Sequence, residues 1–109
     1  MRIYVIGPVT GHVDLNRPAF ESARAELSAA GHEAVIPHDF IPADASHAKA
    51  MRMSLCWMLF TGRVEGIALL DGWDASPGAL LERAVSAQCG IACWTIDEWA
   101  RVAPGKEES

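Results

Sequence analysis

Apolar residues recur along this chain in two alternating rhythms. Ile3–Ile6 is a short β-branched and aromatic run stopped by Gly7-Pro8, the pattern of a buried first strand. Ala19, Phe20, Ala23, Leu27 and Ala30 then return at helical spacing. Asn16 stands before them as a cap, Pro18 falls in the first turn, and Gly31 predicts a left-handed end to the helix. Ala34–Ile36 predicts a second strand closed by Pro37, and 38–46 a loop. From about His47 to Phe60 the chain reads helical, with Met51, Leu55, Met58 and Leu59 on one side. Glu65–Leu70 predicts the third strand, its run Ile67–Leu70 suited to burial on both faces. Ser76-Pro77 opens the next helix as an N-cap and first-turn proline, and Ile91–Trp94 is the fourth strand. Thr95 with Glu98 three residues on forms a capping box for a last short helix through Ala100.

Strands alternating with helices predict an α/β domain over 1–102, followed by a polar tail over 103–109. The expected architecture is a three-layer, mainly parallel Rossmann/flavodoxin-like sheet of four to five strands. Such sheets bind ligands beyond the carboxyl ends of their strands, where the strand order reverses. That points to two loops, Gly7–Asp14 and Asp71–Ser76.

With 109 residues, half of them hydrophobic, the chain has one core and enough apolar matter to build it without staples. A net charge of −5 and the absence of any Lys/Arg run argue against a grip on duplex nucleic acid. A small nucleotide remains compatible, because helix amides can hold a phosphate. No apolar stretch reaches the ~18 residues that span a membrane. Cys56, Cys89 and Cys93 are an odd number, which favours free thiols and a cytoplasmic setting. They have no second Cys or His pair to complete a zinc set, so neither metal nor cofactor is expected. The Met and Trp content of 51–58 predicts a homodimer or higher homo-oligomer through that helix.

The segment Asp71-Gly72-Trp73-Asp74-Ala75-Ser76-Pro77-Gly78-Ala79-Leu80-Leu81-Glu82 holds the densest candidate chemistry. A helix starting at Ser76 leaves amides unpaired near Pro77–Ala79, an anion site with the Ser76 hydroxyl as an extra donor. Glu82 lies on the same face as Gly78 and Ala79, one turn further in, among Leu80, Leu81, Ala84 and Val85. Apolar surroundings raise a carboxyl pKa. A solvated carboxylate at Glu82, a plain cap at Ser76 and turn residues at Asp71 and Asp74 are the alternatives. The first loop brings Gly7, Pro8, Thr10 and Gly11 to the same sheet edge, with the Thr10 hydroxyl on offer. It lacks both the Gly-Lys-Ser/Thr ending of a P-loop and the third glycine of a dinucleotide fingerprint. Among the histidines, His12 and His38 follow strand ends and could line the site, whereas His32 follows a helix-ending glycine and is expected at the surface.

Three stretches carry a resemblance to a known family. They are Ile3-Tyr4-Val5-Ile6-Gly7-Pro8-Val9-Thr10-Gly11, Ala30-Gly31-His32-Glu33, and Gly72-Trp73-Asp74-Ala75-Ser76-Pro77-Gly78-Ala79 with Glu82. Over roughly 1–95 the chain resembles the nucleoside 2-deoxyribosyltransferase superfamily, which includes 2'-deoxynucleoside 5'-monophosphate N-hydrolases. The likeness is strongest to small phage and bacterial domains of that group. It implies a nucleotide- or nucleoside-binding domain with Glu82 as a nucleophile on the anomeric carbon and Tyr4 near the reacting sugar. Ser76 matches a phosphate-contacting serine of the monophosphate hydrolases, where the transferases have an aspartate. Trp73 and Gly78 fall with the substrate-binding set. An aspartate that the family places in the helix before the third strand, assisting the base or sugar, is here Ser54, within Arg52-Met53-Ser54-Leu55, and Ser54 joins the substrate-binding set. Asp71 or Asp74 would then supply the acid. The implied activity is cleavage of the base–sugar bond of a (deoxy)nucleoside 5'-monophosphate. A non-catalytic nucleotide-binding domain and a deoxyribosyltransferase are the alternatives.

Overall fold

The computed structural model describes residues 1–60 and 62–102; the tail expected over 103–109 lies outside the described residues. Four strands, β1 (Arg2–Ile6), β2 (Glu33–Val35), β3 (Gly66–Leu69) and β4 (Ala92–Thr95), form one sheet in the order β2-β1-β3-β4. All three pairings are parallel, with Ile3 opposite Gly66 and Ile6 opposite Leu69. The helices are α1 (Arg17–Ala29), α2 (His47–Leu59), α3 (Pro77–Gln88) and α4 (Ile96–Ala100).

The two-residue period of the strands sorts the core into two halves. Ile3, Val5 and Ala68 pack with Phe20, Ala23 and Leu27 of α1 and with Trp99 of α4. Tyr4, Ile6, Ile67 and Leu69 pack with Met58 of α2 and Ala79 of α3. Helices therefore cover both faces, and the fold is the three-layer α/β architecture of the Rossmann/flavodoxin type. Burial of both central strands explains why β1 and β3 read as continuous apolar runs.

Local signals set the element ends. Gly31 has φ +93°, and the bonds from Gly31 N to Ser28 O (2.9 Å) and His32 N to Leu27 O (3.1 Å) close α1 as a Schellman motif. The Thr95–Glu98 capping box opens α4. Gly66 is needed where α4 crosses β3, since a Cβ there would stand 2.4 Å from the Trp99 ring. The same indole donates to Ile67 O at 2.7 Å.

Two expectations are corrected. Asn16 occupies the cap position of α1 but does not cap: Asp14, Leu15 and Asn16 are left-handed (φ 53°, 53° and 60°), and the Asn16 amide donates to Pro8 O at 2.8 Å. The side chain ties the first loop instead of the helix. His32 is buried (4% exposed), because α4 folds back over α1 and places the carbonyls of Trp99 and Val102 at 3.1 and 2.6 Å from its Nε2. No helix among the described residues is long and apolar enough to cross a membrane.

Candidate active site

A cavity of about 1080 Å³ opens beyond the carboxyl ends of β1 and β3, where the strand order reverses. Of the residues singled out in the sequence, Tyr4, Gly7, Pro8, Thr10, Ser54 and Asp71 border it, as do Ser76, Gly78 and Glu82. Gly11, Trp73 and Asp74 do not. Trp73 packs against the core beside α3, with the Arg83 guanidinium 5.8 Å from its ring centre, and Asp74 lies exposed in the short 3-10 turn before α3.

Glu82 projects from the second turn of α3 and is 8% exposed. Its Oε2 accepts a hydrogen bond from Ser54 of α2, and the Ser54 hydroxyl is 2.7 Å from that of Tyr4 on β1. Three elements thus converge on one carboxylate. Burial pushes Glu82 up to about 7, against the opposing pull of the Ser54 donor. Burial, with the nearby Glu82 charge, also holds the Tyr4 phenol well above its ordinary value. Tyr4 is 0% exposed, so its hydroxyl meets Ser54 and reaches Glu82 through it.

The start of α3 forms the neighbouring wall. Ser76 Oγ accepts from Ala79 N at 3.3 Å and keeps its own proton to donate elsewhere. Pro77 has no N–H, which leaves the Gly78 amide as the free donor of the first turn. A Cβ on Gly78 would meet Met51 Sδ at 3.1 Å and His47 Cε1 at 3.7 Å, so glycine here lets the first turns of α2 and α3 approach each other.

The charges of the wall are unequal. Glu26, Asp71, Glu82 and Asp97 supply carboxyl groups, and His12, His38 and His47 are its basic side chains; no Lys or Arg borders the cavity among the described residues. His38 is anchored by Nε2 donating to Leu15 O at 2.8 Å, and its buried Nδ1 has no partner. His47, Glu26 and Asp97 were not singled out in the sequence. Each enters through long-range packing that local spacing does not encode.

Over residues 1–95 the chain matches the family model described as Domain of unknown function (DUF4406). It belongs to that family. Among curated proteins and among solved structures nothing matches the chain. The DUF4406 match spans all four strands and ends at Thr95, so α4 lies just beyond it.

Proposed function

We propose that this DUF4406 domain is an N-glycosidase that hydrolyses the base–sugar bond of a (deoxy)nucleoside 5'-monophosphate through a covalent ester on Glu82. The observation that carries the reading is a buried carboxylate, held by Ser54, on the wall of a cavity at the strand-order reversal. It is joined by the likeness of the Gly72–Glu82 string to the nucleoside 2-deoxyribosyltransferase superfamily.

In the first step a Glu82 oxygen bonds to the anomeric carbon, the glycosidic C–N bond breaks, and its electron pair leaves with the base. Asp71, in the loop two residues beyond β3, donates the proton that the departing nitrogen takes up. Water deprotonated by Asp71 then attacks the anomeric carbon, and the ester bond returns its electrons to Glu82. The sugar phosphate is released with retained configuration. The Gly78 amide, the Ser76 hydroxyl and the dipole of α3 hold the 5'-phosphate. With histidine as the wall's basic residue type, the phosphate adds affinity by a few hydrogen bonds and not by an arginine clamp.

The test is incubation with a panel of nucleoside monophosphates and their nucleosides, followed by chromatography. Free base appearing with the sugar phosphate supports the reading. Base exchange without net hydrolysis selects a deoxyribosyltransferase, and ligand bound but recovered intact selects a non-catalytic nucleotide-binding domain. As a further part of the proposal, the chain assembles as a homodimer in the cytoplasm through the α2 side.

A further inference from the structure

The two carboxylate oxygens of Glu82 have different surroundings. Oε2 accepts from Ser54, whereas Oε1 has no hydrogen-bond partner among the described residues and is not a closed-off atom. Glu82 borders the cavity, so Oε1 is the oxygen open to it. Behind Oε2 stands a chain of two hydroxyls, Ser54 and then Tyr4, both buried.

Each hydroxyl has one proton to give. When Ser54 gives its proton to Oε2, Tyr4 gives its own to Ser54, and every proton in the chain has an acceptor. Run the other way, with Oε2 protonated and donating to Ser54, the Tyr4 proton would need a third acceptor. Tyr4 is fully buried, and Ser54 is its hydroxyl's partner among the described residues. A buried hydroxyl proton without an acceptor carries its full desolvation cost. The outward order, Tyr4 to Ser54 to Glu82, is therefore favoured in both protonation states of the carboxyl.

We propose that Tyr4 and Ser54 form a one-way hydrogen-bond relay that reserves Glu82 Oε2 as an acceptor and leaves Oε1 as the reacting atom. Oε1 is then the oxygen that bonds to the sugar when Glu82 is ionised and the one that carries the proton when it is neutral. In the ester, Oε2 becomes the carbonyl oxygen and still faces the Ser54 donor. The relay stabilises the carboxylate that re-forms as water displaces the sugar, and so favours release over trapping. Ser54 is a positioning residue, acting through Glu82. The inference rests on Glu82 being the reacting carboxylate.

The other titratable groups bordering the cavity are His12, Glu26, His38, His47, Asp71 and Asp97. They remain in place in the variants below. Full chain carrying 13C in its glutamate side-chain carboxyl groups is titrated by NMR, with the Glu82 signal assigned by its loss in Glu82→Gln. In Ser54→Ala the Glu82 midpoint is expected to rise by about one pH unit, a tenfold change in proton affinity, because a donor to the charged form is gone. Tyr4→Phe is expected to shift it in the same direction by less. An unchanged or lowered midpoint in Ser54→Ala overturns the relay, whatever the activity. These readings involve no substrate. A relay that titrates as expected in a chain that releases no base leaves the relay standing and removes the glycosidase. Base release with an unmoved midpoint does the reverse.

Discussion

A carboxyl group buried beside a single hydroxyl donor is poorly compensated when ionised, and Glu82 shows the result: burial pushes it from an ordinary 4.5 up to about 7. Three predictions follow at this residue. Attack on an anomeric carbon needs the ionised form, so with a sugar phosphate whose leaving group takes up no proton from Asp71, such as 4-nitrophenolate, kcat/KM across a pH series is expected to rise through about 7. Glu82→Gln keeps the shape of the pocket and cannot form the ester; it is expected to lose base release by several orders of magnitude while nucleotide binding by calorimetry survives. Full activity in that variant would falsify the mechanism. Stability moves the other way. Because the folded pKa is the raised one, the folded state holds its proton more tightly than the unfolded chain between about 4.5 and 7. The stability present below that window is lost as pH rises through it, by roughly 3 kcal/mol. Wild-type melting temperature is expected to fall from pH 4.5 to pH 8 by more than that of Glu82→Gln, so that the variant melts higher at pH 8 by on the order of 10 °C. Equal pH dependence in the two proteins would show that Glu82 titrates normally.

Among the elements, α3 combines a structural and a functional demand at one end. Ser76 caps the helix through Ala79 N while its own proton remains free. Ser76→Ala is expected to raise the Michaelis constant for monophosphates by about ten- to a hundredfold, the worth of one hydrogen bond to a charged group. The lost cap costs about 1 kcal/mol of stability, read separately from the melting temperature. A KM unchanged for monophosphates would remove Ser76 from the phosphate subsite. Elements of this kind are the legible part of the chain. The strand period of Ile3–Ile6, the glycine that ends α1, Ser76-Pro77 and the Thr95 capping box are local devices, and each lies where its spacing predicts. What is not legible depends on partners far along the chain. Ser54 and Glu82 are 28 residues apart and meet only because α2 and α3 share one face of the sheet. His32 is hidden by α4, 67 residues later, and Asn16 turns from its helix to bond Pro8. Local spacing can nominate Glu82, but the hydroxyl pair behind it comes from tertiary packing.

At the scale of the whole molecule, the apolar residues of α2 divide between core and surface. Met58 is core, and Trp57 packs against it, stacking on Phe40 with ring centres 5.3 Å apart. That accounts for part of the Met and Trp content that suggested an interface. Met51 and Met53 are half-buried as well, and the apolar side chains left exposed are Leu59 by 40% and, just past α2, Phe60 by 61%, with Leu80 and Leu81 on neighbouring α3 at 44% and 49%. Trp57 and Phe60 also share the Arg63 guanidinium, 5.8 and 5.0 Å from their ring centres, so this side offers aromatic surface together with a donor. Aromatic and arginine side chains of this kind anchor interfaces, and a two-fold axis would set the same patch against itself. Sedimentation equilibrium of the full chain is expected to show a dimer at tens of micromolar. Phe60→Asp places a charge where an apolar anchor would be buried, and a loss of about 2 kcal/mol should weaken the dimer on the order of thirtyfold. Because Phe60 is mostly exposed in the single chain, the variant should keep the wild-type circular dichroism spectrum. A native chain that remains monomeric at high micromolar concentration would leave this side without a second copy to cover it.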